Sequence, residues 1–229
     1  MNAFSLSLPG FRQLARLVAL AGFSLLLAAC ATRQPAARFD YTAFKASKPR
    51  SILVLPPVNQ SPDVDATASL FSVTTFPLAE SGYYVIPVTL AEETFKQNGV
   101  TVADEAHSLP LDKLREIFGA DAALYITITR YGVRYLLLDS VVEIAASAKL
   151  VDLKTAQELW QGSVSLSEGQ NNNNNGLVGM LVGAIVNQIA NSVSGRAHEV
   201  AGSASRYLLS AGRQNSLLFG PYHPKYGTD

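Results

Sequence analysis

The stretch that sets the fold reads Ser51-Ile-Leu-Val-Leu-Pro-Pro-Val-Asn59. Its apolar run is short and is closed by two prolines, which have no N–H to donate to a neighbouring strand. A run of this kind, bounded by turn residues, is typical of a buried central strand that ends in a loop. We therefore place the start of the folded domain at residue 51.

The residues that follow this strand alternate between helical and extended patterns. A helix is predicted from Asp63 or Asp65 to about Glu80, ended by Gly82, and a strand follows over 83–88. A second helix is predicted over 90–97, with Thr89 as N-cap and Asn98-Gly99 at its end. A third is predicted over 111–118, with Gly119 after it. This part therefore begins with a strand–helix–strand unit.

From residue 122 onward the apolar period changes to two, which predicts strands over 122–134, 140–153 and 158–166. Lys154-Thr-Ala-Gln157 is a tight hairpin between the last two. Helices are predicted over 177–193 and 196–209. The fold class is α/β (α+β): a mixed sheet with an N-terminal strand–helix–strand unit, an antiparallel meander and C-terminal helices packed on the sheet.

Two apolar features near the end of the chain are predicted to stabilise this domain. Trp160 is expected to anchor the core rather than to bind a ligand. The tail from Gly212 is expected to lie extended across a surface, with Leu217-Leu218-Phe219 acting as an intramolecular latch, because exposed apolar clusters without a partner favour aggregation.

Upstream of the domain the sequence has the pattern of a bacterial lipoprotein signal. Arg12 and Arg16 precede an apolar stretch from Leu17 to Ala28, which is too short to cross a bilayer, and small residues lead to Cys30, the only cysteine of the chain. A thiol can be alkylated by a diacylglycerol donor before cleavage. We predict a signal peptide over 1–29 and lipidation at Cys30; the alternative is a buried cysteine behind an ordinary secretory signal.

Residues 30–50 are mixed in composition and predict a tether between lipid and domain, along which Phe39, Tyr41 and Phe44 can dock on the domain. Residues 51–229 are predicted to form a single α/β domain. Ala31 stands where an aspartate would favour retention in the inner membrane. We therefore expect attachment to the outer membrane, on its periplasmic face or exposed at the surface.

Composition excludes several classes of function. The full chain has 18 basic and 18 acidic residues, and removal of the leader takes away Arg12 and Arg16 but no acid. The mature chain is therefore slightly acidic, whereas nucleic-acid binding requires a clustered basic face. With its one cysteine assigned to lipid, the protein has no disulfides and must depend on its core.

The sequence contains no recognisable catalytic constellation. The histidines at 107, 198 and 223 have no metal-ligand neighbour at i+3 or i+4, and there is no Gly-x-Ser-x-Gly elbow or P-loop. The acidic pairs Glu92-Glu93 and Asp104-Glu105 are adjacent in sequence, so their side chains do not face each other. We predict no metal, no cofactor and no enzymatic activity.

A stripe of small and polar residues marks the predicted helix over 177–193. Gly179, Gly183 and Asn187 recur at four-residue spacing, and a glycine costs a helix up to about 1 kcal/mol. Close approach of another backbone would compensate for this cost. The stripe can pack against the sheet of its own domain, mediate self-association or insert into a membrane. The asparagine run over 171–175 before it is predicted to be a solvated loop.

Four segments in this order resemble a known group of proteins. They are 51–59, Gly82-Tyr-Tyr-Val-Ile-Pro-Val88, Gly119-Ala-Asp-Ala-Ala-Leu-Tyr-Ile-Thr-Ile-Thr129 and Val151-Asp-Leu-Lys-Thr-Ala-Gln-Glu-Leu-Trp-Gln-Gly162. The order resembles the α/β domain of CsgG-like lipoproteins and of the TolB amino-terminal domain. More closely, residues 30–220 resemble a bacterial lipoprotein family of unknown function that includes a meningococcal vaccine-candidate antigen.

The resemblance implies a periplasm-facing, lipid-anchored, non-enzymatic protein that assists envelope transport, secretion or assembly as a binding or scaffold module. The expected partners are the membrane, through the lipid anchor, and either a second copy in a homodimer or another envelope lipoprotein, with no nucleic acid and no small-molecule substrate. CsgG-like pores use long amphipathic hairpins, which we do not find, so a pore is not expected. The alternatives are an activator of a peptidoglycan synthase and a cell-wall hydrolase.

Overall fold

One mixed sheet with helices on both faces organises the protein. The computed structural model describes residues 39–135, 140–169 and 193–229. The strands in these ranges are β1 Ser51–Val54, β2 Val58–Asn59, β3 Tyr84–Val85, β4 Ala122–Arg130, β5 Val133–Tyr135, β6 Ser140–Asp152 and β7 Glu158–Gly169. The helices are α1 Thr42–Ser47, α2 Ala66–Ser72, α3 Thr75–Glu80, α4 Val88–Gln97, α5 Ala103–Ser108, α6 Leu111–Phe118 and α7 Val193–Leu209.

The sheet has a parallel half and an antiparallel half. β1 lies between β3 and β4 and is parallel to both, and β2 continues the line of β1 along β4. β4, β6 and β7 then run antiparallel, with β5 paired to the start of β6. The predicted fold class is confirmed, including the strand–helix–strand unit and the meander.

Helices cover both faces of the parallel half. We call the face under α1, α2, α3 and α7 the front face and the face under α4, α5 and α6 the back face. Ile52 and Val54 of β1 point into the front core, whereas Leu53 and Leu55 point into the back core, and all four are fully buried. A strand buried on both faces reads as a continuous apolar run, which is the pattern of this stretch.

Among the described residues, helices cover the antiparallel half on its front face only. α7 packs on β6 and β7 there, and Trp160, Leu150 and Ile144 are 1%, 0% and 0% exposed. On the back face Ser147 and Lys149 of β6 are exposed, as are the alternate residues of β7 from Gln161 to Ser167. The meander therefore has an open back face.

The prediction of one continuous helix to about Glu80 is wrong in one respect. The structure has two helices there, with a break at Val73-Thr74. Pro77 has no N–H and so cannot bond the carbonyl of Val73 as a continuous helix would require. Ser205 Oγ of α7 donates to that carbonyl instead, at 3.0 Å. The buried Thr74 hydroxyl donates to the carbonyl of Phe71 at 2.7 Å.

Other boundaries differ from the predictions in local ways. α4 begins at Val88, with Pro87 rather than Thr89 at the N-cap position, so the strand predicted over 83–88 stops after Val85. The extended run over 122–134 is interrupted at Gly132, whose φ of +101° separates β4 from β5. α5 was not predicted. α6 has the predicted bounds, and Gly119 after it has φ +63°.

The chain from Phe39 onward packs on the domain, as predicted for the three aromatic residues of the tether. The Phe39 N–H donates to Asn215 Oδ1 at 2.9 Å, and Tyr41 OH donates to the carbonyl of Ser216 at 2.5 Å. Phe44 of α1 is 4% exposed in the front core. The sequence assigns this segment to the tether, yet from Phe39 it belongs to the same compact unit as the sheet.

The C-terminal tail is the predicted latch. Leu217 is fully buried and Leu218 is 9% exposed, and the buried Tyr83 hydroxyl donates to the carbonyl of Leu218 at 2.6 Å. Gly220 N–H donates to the carbonyl of Ser81 at 2.7 Å. Trp160 Nε1 donates to the carbonyl of Asn215 at 3.0 Å, so the predicted core anchor also fastens the tail.

Several predicted features lie outside the described residues. They are Cys30 with its signal peptide, the asparagine run over 171–175, the predicted helix over 177–193 and its stripe residues Gly179, Gly183 and Asn187. Within the described ranges, no helix combines the length and the apolar character that a bilayer crossing needs.

Candidate interaction sites

The three histidines lie in separate places. His223 stacks on Phe219 with ring centroids 4.2 Å apart, whereas His107 Nε2 lies 3.0 Å from the carbonyl oxygen of Pro56. His198 Nδ1 lies 2.8 Å from Ser69 Oγ. In the ranges that the structure covers, no three His, Cys, Asp or Glu side chains come together as metal ligands.

One polar cluster joins residues that are distant in sequence. Tyr131 OH donates to Ser69 Oγ at 2.5 Å, and the same oxygen contacts His198 Nδ1. Burial raises the pKa of Tyr131, and its hydrogen bond to Ser69 partly opposes that shift. Ser69 lies within the short helix α2 rather than at a strand-to-helix turn. We therefore interpret the cluster as a clasp between α2, α7 and the end of β4.

The acidic pairs make local contacts and do not converge. Glu92 Oε1 accepts from Lys96 Nζ at 2.8 Å in an exposed pair on α4, and Glu93 Oε1 accepts from Gln97 Nε2 at 3.0 Å. Glu105 Oε2 accepts from the N–H of Thr101 at 3.3 Å. These contacts stabilise helix ends and surfaces, so they do not form a pair of carboxylates that flank a cleft.

The strongest candidate for protein binding is a cleft at the edge of the parallel half, which we call the edge cleft. It has a volume of about 530 Å³. Tyr84, Leu90, Ile117 and Tyr222 line it and are 55%, 59%, 48% and 66% exposed. Four large apolar side chains exposed around one concavity mark an interaction site more often than scattered ones do.

Among the described residues, the polar rim of the edge cleft carries one cation without an ion-pair partner, Arg50. One carboxylate oxygen of Asp121, Oδ2, accepts three hydrogen bonds, from the N–H of Arg50 at 2.9 Å and from the N–H and Oγ of Ser51 at 3.1 Å each. The exposed Arg50 side chain makes no ion pair with any described residue. The rim therefore favours an acidic group on a bound partner.

β3 contributes an edge of backbone to the same cleft. Tyr84 N–H donates to the carbonyl of Arg50 at 2.9 Å and Ile86 N–H to that of Ile52 at 3.0 Å, so these groups face β1. Within the described part of the sheet, β3 pairs with β1 alone. The intervening Val85 directs its backbone groups to the other side, where a further strand could pair.

The second candidate is a shallow concavity of about 570 Å³ on the open back face of the meander. Thr127, Ser147 and Ser163 form one row across three strands, and Tyr125, Lys149 and Gln161 form the neighbouring row. We call these six residues the hydroxyl grid. His107 of α5 closes one end, with its ring edge-on to Tyr125 at 5.1 Å.

The electrostatics of the grid are set by Lys149 and His107. Lys149 Nζ lies 5.2 Å from the centre of the Tyr125 ring, a cation–π contact. Burial lowers the pKa of His107 and nearby Lys149 adds to this, while the Pro56 carbonyl and Asp104 oppose it. His107 is therefore neutral at pH 7, and Lys149 is the cation of the site.

Neither the edge cleft nor the hydroxyl grid was predicted from the sequence. Only the grid has a local sequence pattern from which it could have been predicted. The grid has a local signal, because Ser163-Val-Ser-Leu-Ser167 alternates hydroxyl and apolar residues. The edge cleft has none, since its residues come from β3, α4, α6 and the tail.

Comparison with known proteins connects the chain to a lipoprotein family. The family model described as "Putative lipoprotein GNA1162-like" matches residues 39–222. The chain is 53% identical over 197 residues to "Putative lipoprotein NMB1124/NMB1162" of Neisseria meningitidis serogroup B, covering 86% of this chain and 91% of that protein. These matches agree with the resemblance seen in the sequence.

Solved structures give a similar result at lower coverage. The crystal structure of lipoprotein GNA1162 from Neisseria meningitidis is 57% identical with a TM-score of 0.53, covering 63% of this chain and 100% of that chain. A PelC dodecamer from Paraburkholderia phytofirmans is 11% identical with a TM-score of 0.41, covering 72% of this chain and 91% of that chain. A likeness as low as the second carries no functional inference.

Proposed function

Because the chain belongs to the GNA1162-like lipoprotein family, we propose that it is an outer-membrane, periplasm-facing binding module that assists envelope transport, secretion or assembly. It acts without enzymatic activity. The leader over 1–29 is removed, and lipid on Cys30 holds the domain at the membrane through the residues before Phe39.

The observation that carries this proposal is the edge cleft. Tyr84, Leu90, Ile117 and Tyr222 expose apolar surface that a solitary domain would be expected to bury. Aromatic side chains are enriched at the centres of protein interfaces, and two of these four are tyrosines. The function that fits the site best is the capture of another protein.

The partner segment that fits this cleft is an extended one with apolar side chains and an acidic residue. An extended segment can pair with the free edge of β3 while its side chains fill the cleft. The tail already runs beside the neighbouring residues, where Tyr222 N–H donates to the carbonyl of Gly82 at 3.1 Å. The acidic residue would reach Arg50. Pro87 limits backbone pairing, so apolar contacts supply most of the affinity.

A photo-crosslinking experiment in cells tests this proposal. A photoreactive residue in place of Leu90, in the full-length protein, is expected to capture one envelope protein through an extended apolar segment. Ile117→Glu should abolish this crosslink, because it places a charge in the cleft. Val102→Glu is the matched control, since Val102 is 53% exposed but lies outside the cleft.

Four outcomes would contradict the proposal or redirect it. A crosslink that persists in Ile117→Glu would exclude the edge cleft. Capture of a second copy alone would favour the homodimer predicted from the sequence over a separate partner. Capture of a peptidoglycan synthase would favour the predicted alternative of synthase activation, and turnover of wall fragments by the purified protein would favour the hydrolase.

The anchor is tested separately. Cys30→Ser should stop incorporation of labelled palmitate and release the protein from the membrane fraction, because the sulfur is the acyl acceptor. Retention of label and of membrane association in this variant would contradict lipidation at Cys30.

A further inference from the structure

We propose that the hydroxyl grid on the open back face of the meander is a binding site for an acidic sugar. This inference is independent of the edge cleft. It follows from three properties of the site within the described residues, namely side chains with unused hydrogen-bonding capacity, a lysine without a salt bridge and an aromatic wall.

The grid presents hydrogen-bonding groups that the protein does not use. The hydroxyls of Thr127, Ser147 and Ser163 and the Gln161 amide make no side-chain hydrogen bond with any described residue. The Lys149 ammonium contacts only the face of the Tyr125 ring among these residues. Their Cα atoms are in register across β4, β6 and β7. Neighbouring strands lie about 4.8 Å apart and alternate residues about 7 Å apart. The spacing matches a ligand that carries several hydroxyls on a rigid ring.

The charge of the site selects an anion. Lys149 is exposed and makes no salt bridge within the described chain. Among the described residues, Asp104 is the acidic group that influences His107 electrostatically, and it makes no salt bridge with Lys149. An anionic substituent on the ring would meet Lys149 in a charge-assisted hydrogen bond, which is stronger than a neutral one.

The wall of the site supplies an apolar surface and a fixed acceptor. His107 Nε2 faces the carbonyl oxygen of Pro56, which only accepts, so Nε2 carries the proton. The neutral ring therefore leaves Nδ1 as an acceptor. Its contact with Tyr125 holds both rings in place, so that the apolar face of a sugar can rest against them.

The ligand chemistry is thus a sugar ring that bears a carboxylate or a phosphate. In a bacterial envelope this chemistry has two sources. Wall glycan supplies a carboxylate on an amino sugar, and the lipid-linked glucosamine of the outer membrane supplies a phosphate. The grid is wide enough for the ring and the anion together.

Titration of the full mature protein in detergent, followed by NMR, tests the site. The probes are N-acetylmuramic acid, glucosamine phosphate and, as the neutral comparison, N-acetylglucosamine. We expect at least one acidic probe to shift the signals of Thr127 and Ser163 and to bind more tightly than the neutral probe. Binding of the carboxylate probe alone assigns wall glycan as the source, and binding of the phosphate probe alone assigns the lipid.

Variants separate this site from general surface attraction. Lys149→Gln should weaken binding of the acidic probe roughly tenfold, a change equivalent to about 1.4 kcal/mol, and leave the neutral probe unchanged. Ser163→Ala should weaken both. Ser167→Ala is the control on the same strand outside the concavity. Absence of binding by all three probes, or equal losses in Ser163→Ala and Ser167→Ala, would overturn the proposal.

Discussion

The two halves of the sheet differ in the burial of their back faces. In the parallel half, Leu53 and Leu55 point backwards into a core that Phe95 and Leu114 complete. In the meander, Ser147 and Ser163 occupy the same face and meet solvent. Parallel strands need cover on both sides, whereas an antiparallel sheet can face water on one side.

This difference locates where binding surfaces arise in the molecule. Where helices seal both faces, only the rim of the sheet is accessible, and there the exposed groups are apolar. Where one face is open, the strands present hydroxyl groups in register. A single sheet thereby offers an apolar edge and a polar face that do not overlap.

The largest expected effect comes from breaking the sealed back core. Leu53→Ala should lower the free energy of unfolding by about 2–5 kcal/mol, because Leu53 is fully buried and leaves a cavity. Ser147→Ala on the open part of the same face should change it by no more than about 0.5 kcal/mol. Urea unfolding measures both. Similar losses in the two variants would mean that the meander's back face is covered.

A substitution at Gly162, with a smaller expected effect on the free energy of unfolding, tests how tightly the meander's front face is packed. Gly162→Ala places a Cβ 2.4 Å from the Trp160 ring, which is fully buried and cannot retreat. We expect a loss of about 1–3 kcal/mol from overpacking. Gly202→Ala in α7 has open space and should gain up to about 1 kcal/mol from helix propensity. Thermal unfolding of both variants compares them, and a neutral Gly162→Ala would contradict the close packing.

His107 lies at the boundary of the two halves. The pH dependence of protein stability therefore reports on how closely the two halves are packed at that point. Its pKa in the folded protein is below the unfolded value of 6.5, chiefly because of burial. The unfolded chain therefore binds the proton more readily, and stability is lost as pH falls below 6.5. His107→Gln should flatten the dependence of the urea midpoint on pH in this range. An unchanged slope would assign the dependence to other groups.

A further small change in stability is expected when the open face is made apolar. The double variant Ser147→Val and Ser163→Val should keep the free energy of unfolding within about 1 kcal/mol, since valine suits strands. It should nevertheless promote self-association, because it creates an exposed apolar patch. Sedimentation velocity detects this. A variant that sediments like the unaltered protein would show that the face tolerates apolar residues.

Local signals account for what could be predicted of the fold. α6 has the predicted bounds because an apolar helical face and a following glycine are both visible in the sequence. The break between α2 and α3 was missed although Pro77 was visible. A proline is compatible with the first turn of a helix. The Ser205 hydroxyl that donates to the carbonyl of Val73 comes from more than a hundred residues away.

The candidate binding sites were less predictable, because their residues also come from distant parts of the chain. Tyr84, Leu90, Ile117 and Tyr222 are unremarkable in their own segments and become a site only when the sheet edge, two helices and the tail meet. The clasp likewise has no signal in the sequence, because Ser69, Tyr131 and His198 lie far apart along the chain. By contrast, alternation along β7 already showed that one face of that strand is polar, although not which groups would stand beside it.

The contact of Phe39 and Tyr41 with Asn215 and Ser216 has a consequence for the order in which the chain folds. The separations of 176 and 175 residues along the chain mean that the front core cannot close until almost the whole polypeptide is available. Contacts between such distant residues form slowly. A newly made chain therefore stays incompletely folded until the residues around 215 are available to pack against Phe39 and Tyr41.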